Sequence, residues 1–286
     1  ATSGSFGSTI VASKLLDLNE DQTINALGLV STRASGIKSQ FGTMGKPFHA
    51  GMAASNGIEA AKLSKLGFVS KEDGIECEQG FFLTHGWDKK IPPRAIENLG
   101  TDFLFPEIKY KFHACCHGLH SFLEALDEMK LENNFNPETI EEIAIETNPS
   151  WLKVCNIEEP KTGLESKFSY KLTAAMSIYG KDTSNLDTYS DEICFDDNLN
   201  NIRDKVRVIP NDNLSNTQSL ISIKDGSSNV KNKHDLSDKI ENNILETKIV
   251  NKSVSLLSET KSNQISKILN APNENKVDAL VDCLVS

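Results

Sequence analysis

The chain has 286 residues, with 30 basic and 40 acidic side chains and a formal net charge of −10. That balance disfavours a nucleic-acid binder, which carries a basic face, yet leaves room for a lysine-lined pocket that accepts an anion. Hydrophobic residues at 38% and charged residues at 24% suit a soluble globular chain of about two domains. No apolar run approaches the ~20 residues that span a bilayer, and no secretory signal is visible. A cytoplasmic protein without a membrane partner is therefore expected. Six cysteines, at 77, 115, 116, 155, 194 and 283, include no CxxC pair and read as reduced thiols.

The opening "ATSGSFGSTIVASKLL" has no initiator methionine and begins inside a small-residue, helix-like pattern. It reads as a chain entering a domain partway, with a processed terminus as the open alternative. Residues 5–33 predict two helices. The second is capped by Asn19, with Glu20 and Asp21 in its first turn where they complement the helix dipole; Gly28 permits close packing. Residues 33–47 read as a glycine-rich loop, followed by a helix from about 50 to 66 that Gly67 stops. Ala53, Gly57, Ala60 and Ser64 give that helix a side almost without side chains, so another helix can approach closely. Residues 92–100 predict a further short helix.

The character changes near Phe103. "FLFPEIKYKFHACC" reads as aromatic and extended. "HSFLEALDEMKLE" is amphipathic, with Leu119, Phe122, Leu123, Leu126 and Met129 on one face. "IEEIAIETNP" alternates as a strand with Ile143 and Ile145 on one side, and 163–180 reads as a helix. Residues 204–210 and 217–230 read as strands, with Asp225-Gly226 as a hairpin turn. The order β-α-β-α-β-β suggests an α+β unit over about 107–232. The tail from 233 reads as helices returning to the first domain.

Two clusters could carry chemistry: Lys46 with His49, and Lys111, His113, Cys115, Cys116, His117 and His120 in "KFHACCHGLH". Metal binding is disfavoured, because zinc sites pair two spaced ligand couples and only one dense clump exists. Cysteine catalysis needs a thiolate made by a helix N-terminus or a cation; Cys116 sits where a helix begins, although buried filler is the commoner fate of a free cysteine. In the third reading the lysines clamp a carboxylate substrate while its carbon loses a proton and a histidine moves that proton. Spacing alone does not choose among the three.

At these residues the sequence resembles the MmgE/PrpD family, which includes 2-methylcitrate dehydratase, cis-aconitate decarboxylase and iminodisuccinate epimerase. The likeness is carried by "GSFGSTIVASKLLDLNEDQTINALGLVSTRASG", "GKPFHAGMAASNGIEAAKLSKLGF", "EQGFF", "KFHACCHGLHSFLEAL" and "GLESKFSYKLTAAMSIYG". It implies a mainly α fold: an all-helical domain built from both chain ends (1–106 and 233–286) with an inserted α+β lid (107–232). It also implies a homodimer with the active site in the cleft between domains. On this resemblance Lys46, Lys111 and His120 are the catalytic residues. His49, Cys116, Ser35 and Thr43 are substrate contacts, and no metal or cofactor is expected.

Two departures stand out. The family's active-site aspartate and two further histidines fall before the point where this sequence begins. Leu172 occupies about the place of a decarboxylase tyrosine, with Tyr170 close by, and Cys116 lies where that branch has a histidine. The expectation is dehydration of a 2-methylcitrate-like tricarboxylic acid, as in propionate catabolism. Epimerisation of an imino- or amino-dicarboxylate is the enzymatic alternative. A catalytically incomplete subunit that needs a partner is the non-enzymatic one.

Overall fold

The computed structural model describes residues 1–87, 97–226, 228–272 and 276–285. The chain divides into two compact units, Ala1–Pro106 and Glu107–Ser286.

The first unit holds α1 (Thr2–Leu15), α2 (Glu20–Ser31), α3 (Gly45–Lys65) and the short α4 (Phe81–Thr84). Asn19 caps α2 as the sequence predicts: its side chain accepts from the Gln22 N–H at 2.9 Å, and Gln22 Oε1 accepts from the Asn19 N–H at 3.1 Å. This reciprocal capping box satisfies two orphan donors at once. Gly67 has φ +88° just past the end of α3, in the expected stop position.

The bare side of α3 is the packing element of this unit. Ala53, Gly57, Ala60 and Ser64 are buried, together with Asn56 and Ala61. A Cβ on Gly57 would lie 2.0 Å from Ser8 Oγ and 2.5 Å from the Thr9 nitrogen, so α1 and α3 cross at near backbone contact. Small hydroxyls tie the helices together there: Ser8 Oγ donates to the Ala53 carbonyl at 2.7 Å, and Ser64 Oγ to the Gln22 carbonyl at 2.6 Å. Gly28 likewise admits the Lys71 carbonyl, which a Cβ would meet at 2.2 Å.

The structure corrects one boundary. Helix α3 starts at Gly45 rather than near 50, so Lys46, Pro47 and His49 ride on its first turns instead of a loop. Pro47 does not prevent this, because first-turn N–H groups have no intrahelical acceptor to lose. Of the helix predicted over 92–100, residues 92–96 lie outside the described residues, and 97–100 form a turn.

The second unit contains α5 (His120–Glu132), β1 (Ile140–Thr147), α6 (Pro149–Cys155), α7 (Gly163–Ser166), α8 (Tyr170–Ile178) and α9 (Asp197–Arg203). It continues with β2 (Val206–Pro210), β3 (Gln218–Asp225), β4 (Ser228–Asp235), α10 (Asn242–Leu257), α11 (Glu259–Asn270) and α12 (Lys276–Val285). The four strands form one sheet in the order β2-β1-β3-β4. β1 runs parallel to β2, with Ile145 opposite Val208, and antiparallel to β3, with Ile145 opposite Ile221. β3 and β4 make the hairpin that Asp225-Gly226 signals.

Leu119, Phe122, Leu123, Leu126 and Met129 are all buried, as are Ile143 and Ile145. Helix α5 lies on β3 and β4. Each such side chain contributes roughly 1.5–3 kcal/mol by leaving water.

Three expectations change here. Residues 108–116 are irregular rather than a first strand. Their backbone is held by lone bonds, Ala114 N–H to the Thr183 carbonyl and Cys116 N–H to the Lys167 carbonyl, each 2.8 Å. The helix predicted over 163–180 breaks into α7 and α8, because Ser169 turns its hydroxyl to the Leu172 N–H at 3.2 Å and caps a new start. The hairpin runs on to Asp235, past the expected end of the α+β segment. Residues 233–286 are grouped with the second unit, where Lys248 meets Glu124 and Lys252 meets the Ser184 carbonyl. Among the described residues, no helix is long and apolar enough to cross a membrane.

Candidate active site

In the first unit the predicted site residues gather at the start of α3. Thr43 Oγ1 donates to the Gln40 carbonyl at 2.8 Å and accepts the Gly45 N–H at 3.0 Å. Its hydroxyl therefore serves the entry to the helix. Lys46 and His49, three apart, are neighbours on that helix and are half-buried. The Lys46 ammonium stands 4.8 Å from the centre of the Phe41 ring. Gly36, at φ +117°, brings its backbone against His49: a Cβ there would lie 3.4 Å from His49 Nδ1. Ser35 is exposed, and its carbonyl accepts from Thr2 Oγ1 at 3.2 Å.

The second unit builds its group on residues 111–120 and the first two turns of α5. His113 is buried, with Nδ1 at 2.7 Å from Thr183 Oγ1. Its Nε2 faces Glu124 Oε1 at 3.3 Å, within ion-pair range but off the line of a hydrogen bond. The other Glu124 oxygen pairs with the Lys248 ammonium from α10. Burial alone would raise the Glu124 carboxyl, but the His113 ring and the Lys248 ammonium beside its two oxygens outweigh it and bring it down to about 2. Glu124 is thus a fixed buried anion.

His120 is different. It is fully buried, and neither ring nitrogen has a hydrogen-bond partner among the described residues. Its ring centre lies 5.2 Å from that of His113 and 5.5 Å from that of His117. Burial first, then its neighbours His113, Lys111 and His117, pushes its pKa down to about 2. The side chain is a neutral imidazole with unmade hydrogen bonds. Such a buried group costs about 1–3 kcal/mol, an arrangement that functional sites retain. Half-buried His117 is shifted the same way by burial and by Lys111. Lys111 itself is exposed.

The cysteines do not supply a nucleophile pair. Burial pushes the Cys115 thiol up to about 12. Cys116 is buried, and its hydrogen bond to Cys155, with burial, drives the Cys155 thiol far up. Tyr170, the neighbour of the displaced decarboxylase position, is buried with its hydroxyl donating to the Gly118 carbonyl at 2.7 Å. It braces the turn below His117 and does not stand in for a catalytic tyrosine. Among the described residues, no three His, Cys, Asp or Glu side chains converge as a metal cage would.

Sequence reasoning missed Glu124, Thr183 and Lys248. Glu124 carried a signal: it stands four residues after His120 on an otherwise apolar stretch of α5, so both share one helix face. Thr183 and Lys248 come from distant segments and had none.

Profiles of known families match both halves of the chain. The MmgE/PrpD N-terminal domain covers residues 1–93 and the MmgE/PrpD C-terminal domain residues 113–271. The chain belongs to the MmgE/PrpD family. Among curated relatives of this MmgE/PrpD chain, cis-aconitate decarboxylase of Aspergillus terreus is 27% identical over 214 residues, covering 70% of this chain and 43% of that protein. The cis-aconitate decarboxylase-like protein oryM of Aspergillus oryzae is 33% identical over 139 residues, 46% of this chain and 28% of the relative. Human cis-aconitate decarboxylase is 37% identical over 94 residues, 32% of this chain and 20% of the relative. The MmgE/PrpD chain thus spans less than half the length of these curated relatives.

Proposed function

We propose that the chain carries part of the active site of a lyase that removes water from a hydroxy-tricarboxylic acid of the 2-methylcitrate kind. In this reading Lys111 and Lys46 are residues that hold substrate carboxylates. The neutral His120 imidazole takes the proton from the carbon next to a carboxylate, and the lysines stabilise the charge that develops on the carboxylate oxygens. The adjacent C–O bond breaks, a carbon–carbon double bond forms, and the hydroxyl departs as water after taking a proton from His120.

The observation that supports this reading most strongly is His120, a buried imidazole without a hydrogen-bond partner among the described residues, four residues from a fixed anion. A bound tricarboxylate would raise its proton affinity, because a neighbouring negative charge favours imidazolium. Glu124 and Thr183 hold His113, the ring that walls His120 on one side.

A second reading is decarboxylation of a tricarboxylate, favoured by the names of the relatives. It uses the same lysines to stabilise the carbanion left when CO2 departs. Leu172, buried and apolar, and Cys116 in place of a histidine weigh towards dehydration. The proposed assembly is a homodimer, which sedimentation velocity tests.

A turnover screen with 2-methylcitrate, citrate, cis-aconitate and iminodisuccinate separates the reactions. Water loss from a hydroxy-acid supports the first reading. CO2 release from cis-aconitate overturns it in favour of the second.

A further inference from the structure

Three lysines surround the segment that carries His113. Lys167 lies in the break between α7 and α8, and its carbonyl holds the Cys116 N–H. Its ammonium stands 5.5 Å from the centre of the Tyr189 ring, while the Tyr189 hydroxyl donates to the Thr183 carbonyl at 3.1 Å. Lys252 reaches from α10 to the next residue, donating to the Ser184 carbonyl at 2.5 Å. Both amines therefore sit within a residue or two of Thr183, whose carbonyl also holds Ala114, and Lys111 begins that segment.

Among the described residues, no carboxylate pairs with Lys111, Lys167 or Lys252. In this they differ from Lys161, Lys171 and Lys224, which each pair with a glutamate. Asp182, an acid that acts on Lys252 electrostatically, is engaged in its own turn, its Oδ1 accepting from the Ser184 N–H at 2.8 Å and the Ser184 hydroxyl at 2.6 Å. Grouped like charges that are partly withdrawn from water are unfavourable unless an anion joins them. Burial lowers both Lys167 and Lys252; at Lys252 the neighbouring Cys115 and Asp182 oppose it, while Lys111 and Lys167 add to it.

The geometry points to a polycarboxylate-binding site made by Lys111, Lys167 and Lys252 within the second unit alone, with Lys167 and Lys252 as substrate-binding residues. It rests on the proposed lyase reading for the ligand class, but not on Lys46. A ligand with two or three carboxylates engages several amines at once, which a monocarboxylate cannot do. Lys252 makes α10 part of the site, so the C-terminal segment shapes the pocket.

Tricarballylate, an unreactive tricarboxylate, is titrated calorimetrically into the full chain and its variants, with circular dichroism to show that each is folded. Saturable binding is expected, weakened about tenfold or more in Lys167→Gln and in Lys252→Gln and restored in the charge-retaining Lys252→Arg. Unweakened binding in both glutamine variants overturns the proposal, as does absence of binding by the parent chain. Lys46→Gln separates the two ideas. If it binds normally while the other variants fail, the role proposed for Lys46 falls and this site stands; if it alone abolishes binding, this site falls.

Discussion

His113 and Glu124 face each other at 3.3 Å inside the second unit, one from an irregular segment and the other from the second turn of α5. Lys248 completes the set from α10, so a remote stretch of chain joins two neighbouring ones on one carboxylate.

Glu124 is the anchor, and its titration should be visible in stability. Its carboxyl lies at about 2 when folded against 4.5 as the ordinary value: burial raises it, and the adjoining His113 ring and Lys248 ammonium outweigh that. A carboxyl depressed by folding stabilises above its unfolded value and loses that contribution as pH falls toward its folded value. Glu124→Gln should therefore cost about 3 kcal/mol at neutral pH, the scale of breaking a buried pair. The difference from the parent should shrink below pH 4.5 toward pH 2. Urea unfolding across that range measures it; a pH-independent difference would contradict the pairing.

His120 should show its own acid limb, starting higher. Its folded value of about 2 lies below the ordinary 6.5, so the unfolded chain binds a proton there first. Stability should fall by about 1.4 kcal/mol per pH unit from this group as pH drops below 6.5. His120→Leu should lack that slope. Equal slopes in the two proteins would mean that His120 is not held neutral.

The α1–α3 crossing makes a packing prediction. Gly57→Ala places a methyl 2.0 Å from Ser8 Oγ and 2.5 Å from the Thr9 nitrogen, and the helices must separate. A loss of about 1–3 kcal/mol is expected, measured by urea unfolding. No change would show that the helices do not approach so closely.

Cys115 should resist alkylation. Buried, with its thiol pushed up to about 12 by that burial, it presents almost no thiolate at pH 8. Peptide mapping after native iodoacetamide treatment should find Cys115 unmodified, and modified once urea is added. Rapid native labelling would contradict that burial.

The parts legible in sequence were those fixed by local rules. Asn19, Gly67 and Asp225-Gly226 announce a cap, a stop and a turn through the chemistry of a few residues, and the Ala53–Gly57–Ala60–Ser64 stripe announces a close crossing by its spacing. The errors came where a local preference was decided from elsewhere. Residues 108–116 have a strand-like composition, yet Thr183 and Lys167 take their N–H groups singly, so no ladder forms. The 163–180 stretch reads as one helix until Ser169 recaps it. At the site, His120 and Lys111 were visible as a dense motif. Thr183, Lys167, Lys248 and Lys252 reach that motif only through the fold, and no spacing rule connects them to it.

The central claim of the proposed reading is that Lys111 and His120 act on one bound tricarboxylate. A crystal structure of the chain with bound tricarballylate tests it most directly. The account predicts the Lys111 ammonium and a His120 ring nitrogen within about 3 Å of oxygens on a single ligand. A ligand held without either residue would contradict it.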